Sequence, residues 1–217
     1  MCASYKDEGG PPVRVSILNE TSAPIYLGAE QMTCGSVPLF SVTDGDGVVL
    51  PGFADCRFSC AAFQTQDSIL GCTNICLYPS ALGLQPGEVR LTEWAGLYAV
   101  PRDMPATCAP NYSDSPTVSC DQAKRIQPGT YTFAARAGSS LDCSQTGPAS
   151  CSACTSEADG GCSTPGGVVG GSILTASATV SLDASYGVYS TASAGSSPGA
   201  ADAAPIEMLT VELVFAD

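Results

Sequence analysis

Histidine is the commonest general base in enzymes, and this 217-residue chain contains none. That removes Ser-His-Asp and Cys-His catalysis and the commonest general base with them. The run Gly195-Ser-Ser-Pro-Gly199 has the letters of a nucleophile elbow but lies in Ser/Ala/Gly-rich sequence, not between a strand and a helix. A Ser–Lys dyad would have only Lys6 and Lys124 to draw on. Paired carboxylates remain open, since there are 21 acids, but no spacing singles out a pair. Cys151-Ser-Ala-Cys154 has the spacing of a redox pair and of two zinc ligands, and Cys143 and Cys162 would complete a zinc knuckle. Asp44-Gly-Asp46-Gly has the start of a calcium loop, yet the twelfth position from Asp44 is Asp55 rather than glutamate, and a hairpin turn needs the same letters. The expectation is therefore no catalytic residue, no cofactor and no metal, with Asp44 and Asp46 as a weak calcium candidate.

The cysteines carry the larger signal. There are twelve: Cys2, Cys34, Cys56, Cys60, Cys72, Cys76, Cys108, Cys120, Cys143, Cys151, Cys154 and Cys162. A reducing cytosol keeps thiols free, so this density predicts an oxidising compartment and structural disulfides in preference to zinc or redox chemistry. Each bridge is worth ~2–4 kcal/mol. The chain needs that help, because Leu, Ile, Val and Phe total 43 of 217 residues, close to the ~20% level below which chains struggle to fold. Connectivity stays open at this point. Cys2 and the polar run after it, ending at Pro12, resemble the lipid-modified start and tether of a bacterial lipoprotein. That resemblance implies a removed signal peptide and a lipid on Cys2. A lipid would leave an odd number of thiols, and the alternative is that Cys2 joins a disulfide.

Net charge is −13 and the pI about 4.1. The eight Lys and Arg are scattered singly, apart from Lys124–Arg125. With no basic footprint, nucleic acid and anionic membrane surfaces are excluded as partners. A lipid on Cys2 would be the only membrane link. Asn19-Glu-Thr21 and Asn111-Tyr-Ser113 fit the glycosylation acceptor pattern, by accident if the source is bacterial.

The elements that would position any site read as strands. Val13, Val15 and Ile17 alternate with polar residues, as do Ile25 and Leu27. Residues 39–50 form a hairpin about DGDG. LQPGE at 84–88 and IQPGT at 126–130 are two copies of one strand-entry turn, in which Pro fixes φ and Gly takes positive φ. Leu84 and Ile126 anchor these turns on the core. Val89 and Leu91 follow the first, Tyr131 and Phe133 the second. Trp94, Tyr98 and Val100 break the parity, which predicts a bulge or a change of sheet near Glu93–Gly96. Trp94, the only tryptophan, is expected in the core. Leu174, Ala176, Ala178, Val180 and Leu182 line one face, and Leu209, Val211, Leu213 and Phe215 another. Residues 190–205 are low-complexity sequence. Residues 51–83 and 138–171 are Cys-rich insertions, the first with room for two short helices.

Seven to nine such strands predict an all-β, Greek-key sandwich of immunoglobulin type with long disulfide-tied loops. Its last strand should lie beside an early one. Residues 1–12 are expected as a tether and 13–217 as one domain. VRVSILNETSAPIYL, DGDG, LQPGE with Trp94 downstream, and IQPGTYTF resemble, in that order, the immunoglobulin-like domain of bacterial intracellular proteinase-inhibitor type, over residues 13–136. That likeness implies a sandwich and, by its name, protease inhibition, with no inhibitory residue carried over. The overall style is similar to Cys-rich cell-surface lipoproteins of Gram-negative bacteria. The expected function is a non-catalytic, extracytoplasmic binding or structural protein, with an unknown protein or glycan as partner at the outer membrane or cell surface, or in secreted form. Loops 51–83, 101–125 and 138–171 would carry recognition. The alternatives are a protease inhibitor and a carboxylate-dependent hydrolase.

Overall fold

The computed structural model describes residues 2–29, 39–53, 58–65, 80–112, 116–142, 155–156, 158–165, 167–183 and 208–217. The architecture is mostly β. Strand β1 (Val13–Asn19) places Val13, Val15 and Ile17 fully inside, as its alternation requires. It lies between β12 (Leu209–Phe215), with which it runs parallel, and β5 (Val89–Trp94), with which it runs antiparallel. The last strand is therefore inserted beside the first. A second, antiparallel sheet follows the order β11 (Val168–Leu182), β8 (Gly129–Asp142), β2 (Ile25–Ala29), β4 (Ser80–Leu84), β10 (Cys162–Pro165) and β9 (Thr155–Ser156), with β3 (Phe40–Asp44) also paired to β8. Both sheets feed one core. Ile17, Val211, Leu213 and Phe215 come from the first, and Ile25, Leu27, Leu82, Leu84, Phe133 and Ala176 from the second. Each such large apolar side chain contributes about 1.5–3 kcal/mol by leaving water.

The two QPG turns differ. In the first, Gly87 has φ +80° and the Glu88 N–H donates to the Gln85 carbonyl, which is a tight turn that only glycine enters cheaply. In the second, Gly129 is not left-handed and opens β8 directly. That turn is held instead by the Tyr131 hydroxyl, which donates to the Gln127 carbonyl at 2.7 Å. The strand after the first turn also faces the other way from expectation. Val89 and Leu91 are 37% and 44% exposed, while Arg90, Thr92 and Trp94 point inward. Trp94 meets Phe133 edge-on at 5.5 Å, and its indole N–H donates to the Leu97 carbonyl. That geometry needs Trp94 on the inner face, so Val89 and Leu91 must face out. The expected change of sheet does occur there: Gly96 has φ +64°, and the chain leaves for a separate ribbon.

That ribbon corrects the loop expected at 101–125. It pairs β6 (Leu97–Pro105) with β7 (Thr117–Arg125) along nine rungs. Helix α1 (Cys60–Thr65) packs on it, one short helix among the described residues of 51–83. Cys60, Phe63, Met104, Ala109 and Cys120 form a small core of their own, a satellite of the main one. Strand β4 trims the 51–83 insertion from its end, and β8, β10 and β11 reduce the 138–171 insertion from both sides.

Candidate binding groove along β7

Residues 2–12, expected as a tether, lie as a strap against β7, and the reason is polar rather than apolar. Gln122, on β7, is 1% exposed. Its amide nitrogen donates to the carbonyls of Ser4 at 3.1 Å and Lys6 at 2.8 Å, and its oxygen accepts from Arg102 Nε at 3.1 Å. Both donors and the acceptor are therefore spent on fixing the strap. Beyond Gln122, the Ala123 N–H donates to Asp7 Oδ1 at 2.9 Å, and the Glu8 N–H donates back to the Ala123 carbonyl. Lys124 Nζ meets Glu8 Oε1 at 2.6 Å, the Arg125 N–H donates to Glu8 Oε2, and Arg125 Nε donates to the Gly9 carbonyl. The hydrogen bond from Lys124 holds the Glu8 carboxyl below its usual range, partly opposed by burial. At the other end the Cys2 N–H donates to Gln64 Oε1 of α1, and the Tyr5 hydroxyl donates to the Asp103 carbonyl.

Two open polar grooves flank this strap. One, of about 510 Å³, runs between Lys6, Asp7 and Glu8 of the strap and Gln122, Lys124 and Arg125 of β7. The other, of about 390 Å³, lies between Ser4 and Tyr5 and the Pro101–Arg102–Asp103 stretch of β6. Lys6, Arg102, Lys124 and Arg125, half of the eight Lys and Arg in the chain, collect here. Asp7, Glu8 and Asp103 balance them, so the surface is rich in hydrogen-bonding groups without being a field of one sign.

The cysteines tie the same region. Cys2 is bonded to Cys108 across 106 residues, and Cys60 to Cys120 across 60. In this structure the Cys2 sulfur sits in a disulfide, which is the alternative to a lipid on it. Cys162 is disulfide-bonded as well. Cys34, Cys56, Cys72, Cys76, Cys143, Cys151 and Cys154 lie outside the described residues, as do the zinc-knuckle spacing built on them, Gly195–Gly199 and the low-complexity run 190–205. The disulfides point to an oxidising, extracytoplasmic setting.

The remaining expected sites resolve into turns. Asp44 Oδ1 accepts the N–H groups of Asp46 and Val48, and Gly47 takes φ +81°, so this carboxylate closes the 39–50 hairpin. Among the described residues no cluster of three acids, cysteines or histidines could hold a metal ion. Asn19 is fully buried. Its amide nitrogen donates to the Ala23 and Leu84 carbonyls, and its oxygen accepts from the Thr21 N–H and hydroxyl. A glycan cannot be attached to it in the folded chain. Asn111, the other acceptor, is exposed.

Sequence reasoning missed the strap. One signal was present: Asp7-Glu8 is an adjacent acid pair, and Lys124–Arg125 is the one adjacent pair of bases. Pairing them across 116 residues needs the fold. What stands of the expected resemblance is a mostly-β protein with several sheets and disulfides. No family model, no curated protein and no solved structure matches the chain.

Proposed function

We propose that this chain is a non-catalytic, extracytoplasmic binding or structural module, displayed at the cell surface or secreted, built on an immunoglobulin-like sandwich. The observation that carries the reading is the use made of its buried polar groups. Gln122 is consumed in holding the strap, and Asn19 in holding the β1–β2 turn. These amides position the strap and the turn, and the chain has no histidine to serve as a general base. The sandwich type is supported by the last strand lying beside the first, by two sheets sharing one core, and by a tyrosine near the start of β8 bonding back to its own entry turn. Recognition in this reading belongs to the polar surface of β6, β7 and the strap, which two disulfides make rigid.

Protease treatment of intact source cells, with a cytoplasmic protein as internal control, tests the location. Loss of this chain while the control survives, or its presence in the culture medium, is expected. Survival of both inside the cell contradicts the reading. Purified protein should turn over no ester, glycoside, peptide or phosphate substrate and slow no serine, cysteine or metalloprotease. Turnover lost on substituting one of the 21 acids would replace this reading with the hydrolase.

A further inference from the structure

The sheet of β12, β1 and β5 has a second face, turned away from the core. Its register sets rows across the three strands. One row is Val89, Leu18 and Val214, and Leu91 stands two residues from Val89 on the same side of β5. None of these four belongs to either apolar core; Val89 and Leu91 are exposed outright, Leu18 and Val214 in part. Single exposed apolar residues are ordinary, whereas four adjacent ones on a flat face have the make-up of an interface centre. The other positions of this face are polar. Ser16 and Glu212 share the row of Leu91, and Arg14, Glu93 and Thr210 make the next. Arg14 meets Glu93 at 3.9 Å, but Glu212 and Glu20, both exposed, carry no ion pair among the described residues. The rim is therefore acidic. The outer edge of β5 is shut, since the Leu91 N–H donates to the Asp159 carbonyl and Gly160 packs against the Val89 carbonyl. A partner must meet β5 through its face. The row of three spans two strand spacings, ~9.5 Å, about the ~10 Å breadth of one helix.

We propose that this face is a docking site for an amphipathic helix of another protein, one whose apolar stripe is bordered by lysines or arginines. The stripe covers Val89, Leu18, Val214 and Leu91, and the bases meet Glu212 and Glu20. Charge selects this occupant over a second copy, which would set the same acids against each other on two chains of net charge −13. A helix satisfies its own backbone groups, so it needs no strand edge to bind. The site is separate from the grooves that flank the strap, and it stands whatever compartment holds the chain.

NMR titration of the full, oxidised chain with synthetic helices tests it. The probe is a Leu/Lys peptide with its leucines at helical spacing. One control replaces the leucines by serine, the other the lysines by glutamate. The Leu/Lys peptide should shift the amides of Leu18, Val89, Leu91 and Val214, and both controls should bind roughly tenfold more weakly or worse. Leu91→Ser should weaken the peptide about tenfold, and Glu212→Lys about threefold at low salt. Both side chains lie outside the core, so these variants should melt as the parent does. Shifts confined to other surfaces, the strap grooves included, overturn the proposal. Equal binding of the serine control overturns it as well, because net charge alone would then be the attraction. If the four amides shift on raising the protein concentration without peptide, and the mass in solution doubles, the occupant is a second copy and the proposal falls. None of these failures bears on the cellular location, which protease treatment of cells tests separately.

Discussion

Gln122 shows how much one buried amide can organise. Its three hydrogen bonds join β6, β7 and the strap, and it sits 1% exposed. Gln122→Ala should cost ~2–3 kcal/mol, because the Ser4 and Lys6 carbonyls and the Arg102 guanidinium lose a partner. Urea unfolding measures the loss, and hydrogen exchange at the Glu8 amide should accelerate more than at the core strands. Unchanged exchange there would mean the strap is held by something else. Glu8 gives a pH signature. Its carboxyl lies below the ordinary value of 4.5, first because Lys124 donates to it. A depressed carboxylate stabilises the fold above its unfolded pKa, and that contribution is lost as pH falls through the folded one. Carboxyl NMR should place the Glu8 midpoint below 4.5, and Lys124→Met should move it up. A midpoint at or above the ordinary value, or one indifferent to that substitution, contradicts the contact. None of this was legible in the sequence, where a polar leading stretch reads as a tether: the partners of Asp7 and Glu8 lie 116 residues or more away.

Strands were legible wherever one face is apolar and the other polar. Val13–Ile17, Ile25–Leu27, Leu174–Leu182 and Leu209–Phe215 all face as their period-two pattern demands. The rule inverted on β5, because Trp94 and its contact with Phe133 decide which side goes in, and Val89 and Leu91 are left outside. The ribbon of β6 and β7 escaped notice since its inner residues are Ala99, Met104, Cys120, Asp121, Gln122 and Ala123, which make no apolar alternation. The repeated QPG shows the limit of local signals. The letters coincide, yet only Gly87 is left-handed. Gly87→Ala should therefore cost ~1–2 kcal/mol. Gly129→Ala, where a Cβ finds only ordinary contacts with Tyr131 and Gln127, should cost less than half of that. Denaturant midpoints of the two variants check the contrast, and equal losses would contradict it.

At the scale of the whole molecule, the described residues form two cores of unequal size, and sulfur ties the smaller one. The main core rests on ordinary apolar burial between two sheets, while the satellite around Phe63 and Met104 has five buried residues and two cross-links. A cluster that small does not fix a helix and a ribbon by burial alone. Replacing Cys60 and Cys120 together by Ala should cost ~2–4 kcal/mol and lower the melting temperature by roughly 5–15 °C, with the loss seen first in near-ultraviolet signals from Tyr112 and Phe63, which stack edge-on at 4.9 Å. The most direct measurement of the whole account is disulfide mapping of the native, unreduced protein by mass spectrometry. It should return peptides linking Cys2 to Cys108 and Cys60 to Cys120. Free thiols at these four positions, or a lipid on Cys2, would contradict both the strapped architecture and the oxidising compartment inferred from it.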